Sequence, residues 1–363
     1  MSATAGGVAH LLLMVLTAMI GSLFVCFPAV LLLPIQPSSY RLLTRFVARH
    51  WLRFAALLAE RCGGVAFSFS GDCEPRGDQC VLVLCNHRTR LDWMLLWSFF
   101  ARIGLLGSLK IVLKKELKRV PFFGWAMQCF LFIFLERKWE KDEPYLNRIL
   151  PYIAQQDEFC ILMFPEGTDL SESNIKKSNA WSEKHGLPTK AYTLHPRSKG
   201  FLHTMDCLRG SVDAIYDVTL AYVDRGERPD GSSILRGKLP EKVYCHTRRY
   251  AAAEMPSSAR ELSRWLADRF DEKEAALAQF YAEQKSANSE KIMPSPTVGF
   301  AVSTAVWTVS GGIICCWFIL SWATAVLYIV LSSAAFWCAT KLGGIDLMDL
   351  QAHAPPPAKQ RRD

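Results

Sequence analysis

The chain has 363 residues, half of them hydrophobic, and carries 42 basic against 34 acidic side chains, a formal charge of +8. That length holds one sizeable globular domain plus membrane segments, and long uncharged runs near both ends exclude a purely soluble protein. The positive balance favours an anionic surface or substrate, and without zinc-finger spacing or an aromatic RNA-binding motif phospholipid headgroups fit it better than nucleic acid.

From Val8 to Leu33 the chain is almost free of charge. At 1.5 Å per helical residue it is long enough to cross a hydrocarbon core of ~30 Å. No Lys or Arg precedes the run and no small-residue cleavage site follows, so it reads as an anchor and not as a cleaved leader. Pro28 is its kink candidate. Arg41, Arg45, Arg49 and Arg53 follow, and the positive-inside bias places the next segment in the cytosol. Residues 40–60 mix these arginines with Leu, Phe and Trp. They read either as a helix lying in the headgroup layer or as an amphipathic helix packed on the globular core.

The middle of the chain alternates short apolar runs with helical patterns. Val65–Ser70, Val81–Cys85, Lys110–Leu113, Leu131–Leu135, Phe159–Phe164, Val218–Val223 and Val243–His246 are predicted strands; Leu91–Ala101, Tyr145–Gln155 and Ser198–Leu208 are predicted helices. The alternation predicts an α/β domain with a mixed, largely parallel sheet whose strand-end loops carry the chemistry. Gly226–Gly237, with Asp230-Gly231, is a turn-rich loop, and Ala259–Lys285 is a charged helix that closes the domain. After Pro294 and Pro296, Val298–Ala339 holds no charge and is interrupted by Gly311-Gly312 and Ser321, the pattern of a two-helix membrane hairpin. Lys341, Lys359, Arg361 and Arg362 flank it, as for two cytosolic ends, and the tail APPPAKQRRD reads as disordered. The expected organisation is an anchor and interfacial helix over 1–60, a catalytic domain over 61–290, a transmembrane hairpin over 297–340 and a basic tail over 341–363.

Twelve cysteines are scattered, with none at CxxC spacing and two, Cys315-Cys316, inside a predicted span. They read as small hydrophobes in a reducing compartment, with no metal site. No Asn-x-Ser/Thr site occurs, which agrees with a cytosol-facing domain.

The chemistry concentrates at VLVLCNHRTRLDW, residues 81–93. A buried strand ends at His87, and Thr89 followed by Asp92 is a capping-box pattern that starts a helix through Leu95, Leu96 and Phe99. Five residues of unbroken helix would separate His87 and Asp92 by about 500° of rotation; strand, bend and helix start fold them together instead. A carboxylate on one imidazole nitrogen fixes the tautomer and leaves the other nitrogen to accept a proton. By itself Asp92 serves equally well as a helix cap. Further on, Phe134-Leu135-Glu136-Arg137-Lys138 is a strand ending in two cations, suited to a phosphate or to water. Phe164-Pro165-Glu166-Gly167-Thr168 is a strand-end turn whose glycine lets backbone N–H groups approach an anion. Lys114, Lys115, Lys118 and Arg119 form a basic patch, either solvated or meeting phosphates.

His, four residues, Asp, followed about eighty residues later by Phe-Pro-Glu-Gly-Thr, resembles the glycerolipid acyltransferase family, the lysophosphatidate acyltransferase-like enzymes. The resemblance runs from about Arg61 to Arg249. NHRTRLDWM, VPFFGWAMQ, RKWEKDE, FPEGTDLSE and LHPRSKGF are similar to its lysocardiolipin branch. It implies that His87 deprotonates a lysolipid hydroxyl, that Asp92 orients His87, and that the hydroxyl attacks the thioester of acyl-CoA, a co-substrate, so no cofactor is expected. It further implies acceptor binding by Arg137, Glu166, Gly167 and Thr168, with Lys115 beside them. The family's usual Arg after Glu-Gly-Thr is Asp169 here, an expected acceptor-selectivity position, and its usual Val-Pro before a late strand is absent around Tyr216–Thr219. The implied partners are membrane phospholipids, lysophospholipids and acyl-CoA, with no nucleic acid. The implied location is the endoplasmic-reticulum membrane, multi-pass, with the catalytic domain in the cytosol. A CoA-independent transacylase with the same dyad and a non-catalytic membrane scaffold are the alternatives.

Overall fold

The computed structural model describes residues 4–225, 228–283, 293 and 295–353. The tail with Lys359, Arg361 and Arg362, Pro294, Gly226 at the start of the turn-rich loop, and the last residues of the predicted Ala259–Lys285 helix lie outside the described residues. In chain order the elements are α1 (Ala5–Val30), α2 (Pro37–Leu57), β1 (Ala66–Gly71), β2 (Cys80–Cys85), α3 (Asp92–Leu95), α4 (Trp97–Ile103), β3 (Leu109–Lys114), α5 (Phe123–Cys129), β4 (Ile133–Leu135), α6 (Trp139–Ala154), β5 (Phe159–Met163), α7 (Glu172–Lys184), α8 (Ser198–Cys207), β6 (Ala214–Val223), β7 (Lys242–Ala251), α9 (Ala259–Glu283), α10 (Thr297–Lys341) and α11 (Ile345–His353). All seven predicted strands form. The chain divides into two compact units, one of residues 1–10, 56–104 and 160–295, the other of residues 11–55, 105–159 and 296–363.

The first unit is built on strands in the order β1-β7-β6-β2-β5. β1 runs parallel to β7 and β2 parallel to β6, while β6 and β7 pair antiparallel. Val81 to Cys85 and Phe159 to Leu162 are fully buried, as continuous apolar runs in a covered sheet should be. Beyond Cys85, paired with Val218, the Asn86 side chain takes over the ladder. Its amide donates to the Leu220 carbonyl (3.0 Å) and accepts from the Leu220 N–H (2.8 Å). The main chain is thereby released to turn at His87.

The predicted Leu91–Ala101 helix is two short helices, α3 and α4, that meet at Leu96. The capping box closes only in part. Thr89 N–H donates to the Asp92 carboxylate, but the Thr89 hydroxyl accepts from Leu91 N–H (3.1 Å) and the helix begins at Asp92 itself.

In the second unit β3 runs parallel to β4 with Lys114 opposite Leu135, so Lys115 and Arg137 leave neighbouring strands at the same end. α1 and α10 are each long and apolar enough to cross a membrane. Only 6% of the most apolar window of α10 is buried; a core helix of a soluble protein would be enclosed, so lipid is the solvent this surface suits. The break in α10 falls at Ser321 (φ −157°, ψ 71°) and leaves Gly311-Gly312 within a helical arm. Its arms fold back on each other: Trp317 and Tyr328 rings lie 5.4 Å apart, and the Trp317 indole donates to Thr324 Oγ1 (3.0 Å). α1 packs along both arms, with Phe24 against Trp317 and Tyr328 and Phe27 against Phe336. Its backbone widens to a π-helical turn over Ile20–Cys26, just before Pro28, which lacks an N–H and whose ring would collide with the carbonyl four residues back.

α2 has one exposed apolar stretch and one buried stretch. Leu42, Leu43 and Phe46 are exposed, whereas Trp51 and Leu52 are buried and the Trp51 indole donates to Thr17 Oγ1 (3.2 Å). Lys118 leaves the predicted basic patch. It is buried and bonds Asp346, at 2.6 and 2.8 Å to the two oxygens, and the Gly343 carbonyl. Lys118→Met is expected to strand the buried Asp346 carboxylate and cost about 3–5 kcal/mol, while adding Asp346→Leu recovers most of that loss. Denaturant unfolding in micelles checks it, and an unchanged midpoint for the single variant would discard the pair as a stabilising element.

Candidate active site

The site forms where β2 and β5 end, at the carboxyl edge expected of an α/β sheet. His87 Nδ1 lies 2.9 Å from Asp92 Oδ2, and the imidazole stacks on the Phe164 ring with centroids 4.3 Å apart. Asp92 is wholly buried. A carboxylate removed from water must find donors, and it has them: Tyr222 O–H (2.7 Å), the Thr89 hydroxyl (2.9 Å) and Thr89 N–H (3.0 and 3.1 Å). The imidazole is thus held edge-on and face-on at once, with Nδ1–H directed to the carboxylate and Nε2 the basic nitrogen.

Glu166, also buried, ties three segments together. One carboxylate oxygen accepts from His87 N–H (2.8 Å) and the other from Leu194 N–H (3.1 Å). Burial pushes its carboxyl well above the usual carboxylate range, and these two N–H donors pull it part of the way back. Gly167 adopts φ +72°, the left-handed region open to glycine at no steric cost. Thr168 Oγ1 accepts from the Asn174 side-chain amide (3.1 Å), and Leu170 N–H donates to the His87 carbonyl (2.8 Å). Residues 164–170 therefore meet the histidine at its ring, its N–H and its carbonyl. Behind Leu194, the Glu274 carboxylate on α9 accepts from the N–H groups of Ala191, Tyr192 and Thr193 at 2.6–3.1 Å and from the Thr193 hydroxyl (2.9 Å). The order of parts runs from α9 through the 191–194 backbone and Glu166 to His87.

Of the residues singled out from sequence, His87, Asp92, Glu166, Gly167 and Thr168 come together in the first unit. Lys115 and Arg137 lie in the second, just past the ends of β3 and β4. Lys115 is ion-paired with Glu136, which also faces Lys141 at 3.1 Å; the Lys115 bond, with that of Lys141, holds the Glu136 carboxyl below its ordinary value. Arg137 takes a left-handed backbone (φ 62°). Asp169 stands 3.7 Å from the exposed Arg90. Among the described residues no cluster of His, Cys, Asp or Glu is arranged to hold a metal.

Residues 69–223 match the Acyltransferase family and residues 233–307 match the Acyltransferase C-terminus family. Lysocardiolipin acyltransferase 1 of Danio rerio is 40% identical, covering 76% of this chain and 71% of that protein. The same-named protein of Gallus gallus is 34% identical across 98% of this chain and 97% of its own. The chain belongs to the glycerolipid acyltransferase family. Lysophosphatidylinositol acyltransferase 10 of Caenorhabditis elegans is 37% identical over 66% of this acyltransferase and 63% of its own length. Among solved structures, the 1-acyl-sn-glycerophosphate acyltransferase PlsC of Thermotoga maritima has 15% identity and a TM-score of 0.41, covering 74% and 97% of the two chains.

Sequence reasoning missed Tyr222, Leu194 and Glu274. Tyr222 sits in the late strand whose missing Val-Pro had left that block without a role, and a tyrosine in a strand alternation carries no sign that it will meet a carboxylate 130 residues earlier. Glu166→Gln is expected to put an amide NH2 against one of the two N–H donors of the clamp. The lost bond should cost this acyltransferase about 1–3 kcal/mol of stability and lower turnover together with it. Unfolding and steady-state kinetics on the same preparation check this, and parental values in both would dismiss the clamp.

Proposed function

We propose that this acyltransferase is an acyl-CoA-dependent lysophospholipid O-acyltransferase, moving a fatty acyl group onto the free hydroxyl of a lysocardiolipin-, lysophosphatidate- or lysophosphatidylinositol-type acceptor in phospholipid synthesis and remodelling. The observation that carries this reading is the His87–Asp92 pair at 2.9 Å on a loop held by a buried glutamate, together with relatives named for those acceptors. His87 Nε2 takes the proton as the acceptor oxygen attacks the thioester carbonyl. The tetrahedral intermediate collapses, the C–S bond breaks, and the imidazolium returns its proton to the departing thiolate. Asp92 keeps the tautomer and stabilises the imidazolium, and Tyr222 and Thr89 keep Asp92 in place. A covalent acyl-enzyme through Cys85 is disfavoured, because the thiol is wholly enclosed and burial pushes it well above its ordinary value, away from the thiolate that would attack.

In this reading Glu166, Gly167 and Thr168 shape the loop under the reacting atoms, and Arg137, with Lys115, takes the acceptor phosphate. One kinetic series tests these roles. His87→Ala is expected to lower turnover ~10²–10⁴-fold, about 3–5 kcal/mol of barrier, with folding unchanged. Arg137→Ala is expected to raise KM for the acceptor far more than for acyl-CoA, since only one substrate loses its charge partner. Near-parental turnover removes His87 from the mechanism, an unmoved acceptor constant removes Arg137, and transfer only from a phospholipid donor replaces acyl-CoA with a transacylase route.

The location in this reading is the endoplasmic-reticulum membrane, crossed by α1 and the two arms of α10, with His87 on the cytosolic side. The arginines of α2 after the first span support the orientation. Tags near Gly71 and Gly231 should be cleaved by protease added outside sealed microsomes; protected tags would reverse it.

A further inference from the structure

A cleft of about 530 Å³ opens beside the 164–170 loop, a size that takes a small organic ligand and far more than one ion. It is lined by Thr168 and the buried Glu166, by Asn174 and Lys177 of α7, and by the Leu194–Lys199 segment. Its lining carries three basic side chains, Lys177, Arg197 and Lys199, and one carboxylate. That carboxylate is Glu166, and both of its oxygens already accept backbone N–H groups. His195 also lines the cleft, and burial holds its imidazole below the ordinary value, toward the neutral form.

Arg197 is placed by the loop itself. Its N–H donates to the Pro165 carbonyl (2.8 Å). Its Cδ, Nε and Cζ pass 3.4, 3.6 and 3.9 Å from the point where a Cβ on Gly167 would sit, so the guanidinium stem lies across the glycine. Directly after it, α8 begins at Ser198 with no side-chain cap, which adds the partial positive charge of a helix start to the lining. Asp169, one residue past Thr168, is not part of the lining and stands toward Arg90 instead.

We propose that this cleft is a phosphate-binding subsite in which Arg197 and Lys199 hold the phosphate of a phosphate ester and Asn174 and Thr168 face the alcohol it esterifies. A guanidinium presents two parallel N–H donors to phosphate oxygens, and the lysine ammonium supplies a point charge beside it. Two substrates of the acyl-transfer reading carry this chemistry, the glycerophosphate headgroup of the lysolipid acceptor and the phosphates of the acyl donor. The identity of the occupant rests on that reading; the binding of phosphate does not.

The test uses the full chain in detergent, with glycerol 3-phosphate standing for the headgroup and adenosine 3′,5′-bisphosphate for the donor, titrated by calorimetry. The parent should bind at least one, and Arg197→Glu with Lys199→Glu should weaken that binding tenfold or more. Lys176→Glu, exposed on α7 outside the cleft, should leave it unchanged. Arg197→Gln serves if the charge reversals lower the unfolding midpoint. In kinetics, a rise in the acceptor KM alone assigns the lipid headgroup, and a rise in the acyl-CoA KM alone assigns the donor. A parent that binds neither probe, or a double variant that binds both as the parent does, overturns the subsite. A parent that binds a probe yet transfers no acyl group would instead overturn the acyl-transfer reading and leave the subsite standing.

Discussion

Much of the site depends on a single buried carboxylate. Glu166 holds the main chain at His87 with one oxygen and at Leu194 with the other, so the end of β2, the turn after β5 and the segment entering α8 share one fixed point. A hydroxyl or an amide in that place could not accept two opposed N–H donors with equal geometry. Its two main-chain donors offset part of the cost of enclosing the group. The loop that presents the histidine is therefore held by a carboxylate from the β5 turn.

Asp92 extends the same logic to the side chain. Its partners come from three directions: Thr89 in the adjacent turn, Tyr222 from a strand across the sheet, and His87 itself. Tyr222 O–H and the Thr89 hydroxyl occupy the first oxygen, Thr89 N–H reaches both, and the second oxygen also faces the imidazole, so the dyad's geometry follows from satisfying a buried charge. The strand that supplies Tyr222 is secured in turn by Asn86, whose amide pairs with both backbone groups of Leu220. Secondary structure, register and proton chemistry are in this way parts of one hydrogen-bond count.

The strands were legible because their signal is local: VLVLC or FCILM is apolar throughout and bounded by turn residues. His87, Asp92 and Glu166 were legible because they stand in short motifs. The helices α5 and α7 were not. Glu172–Lys184 carries few apolar residues, and its Ser171 cap, which accepts from Asn174 N–H, stands among other serines that look the same in sequence. Lys118 looked like part of a solvated patch, since nothing nearby announces that Asp346, 228 residues later, will enclose it. The role of Glu166 was only half visible. The loop around it could be guessed, but its second partner is a main-chain N–H, and backbone donors have no letter in a sequence. What sequence reading lost is the long-range half of each pair.

The grip of Glu274 on residues 191–193 bears on how the protein may be divided. The two family matches meet between residues 223 and 233, which invites treating the first as a self-sufficient module and the second as an appendage. Yet α9 lies in the second and holds, through a single side chain, the backbone that completes the clamp on the histidine in the first. Lys273 beside it, itself buried, donates to the Val218 carbonyl at 2.6 Å, in the strand that carries Tyr222. The mechanical unit ignores the seam: loss of the Glu274 carboxylate in the later segment would loosen the backbone that supports His87 in the earlier one.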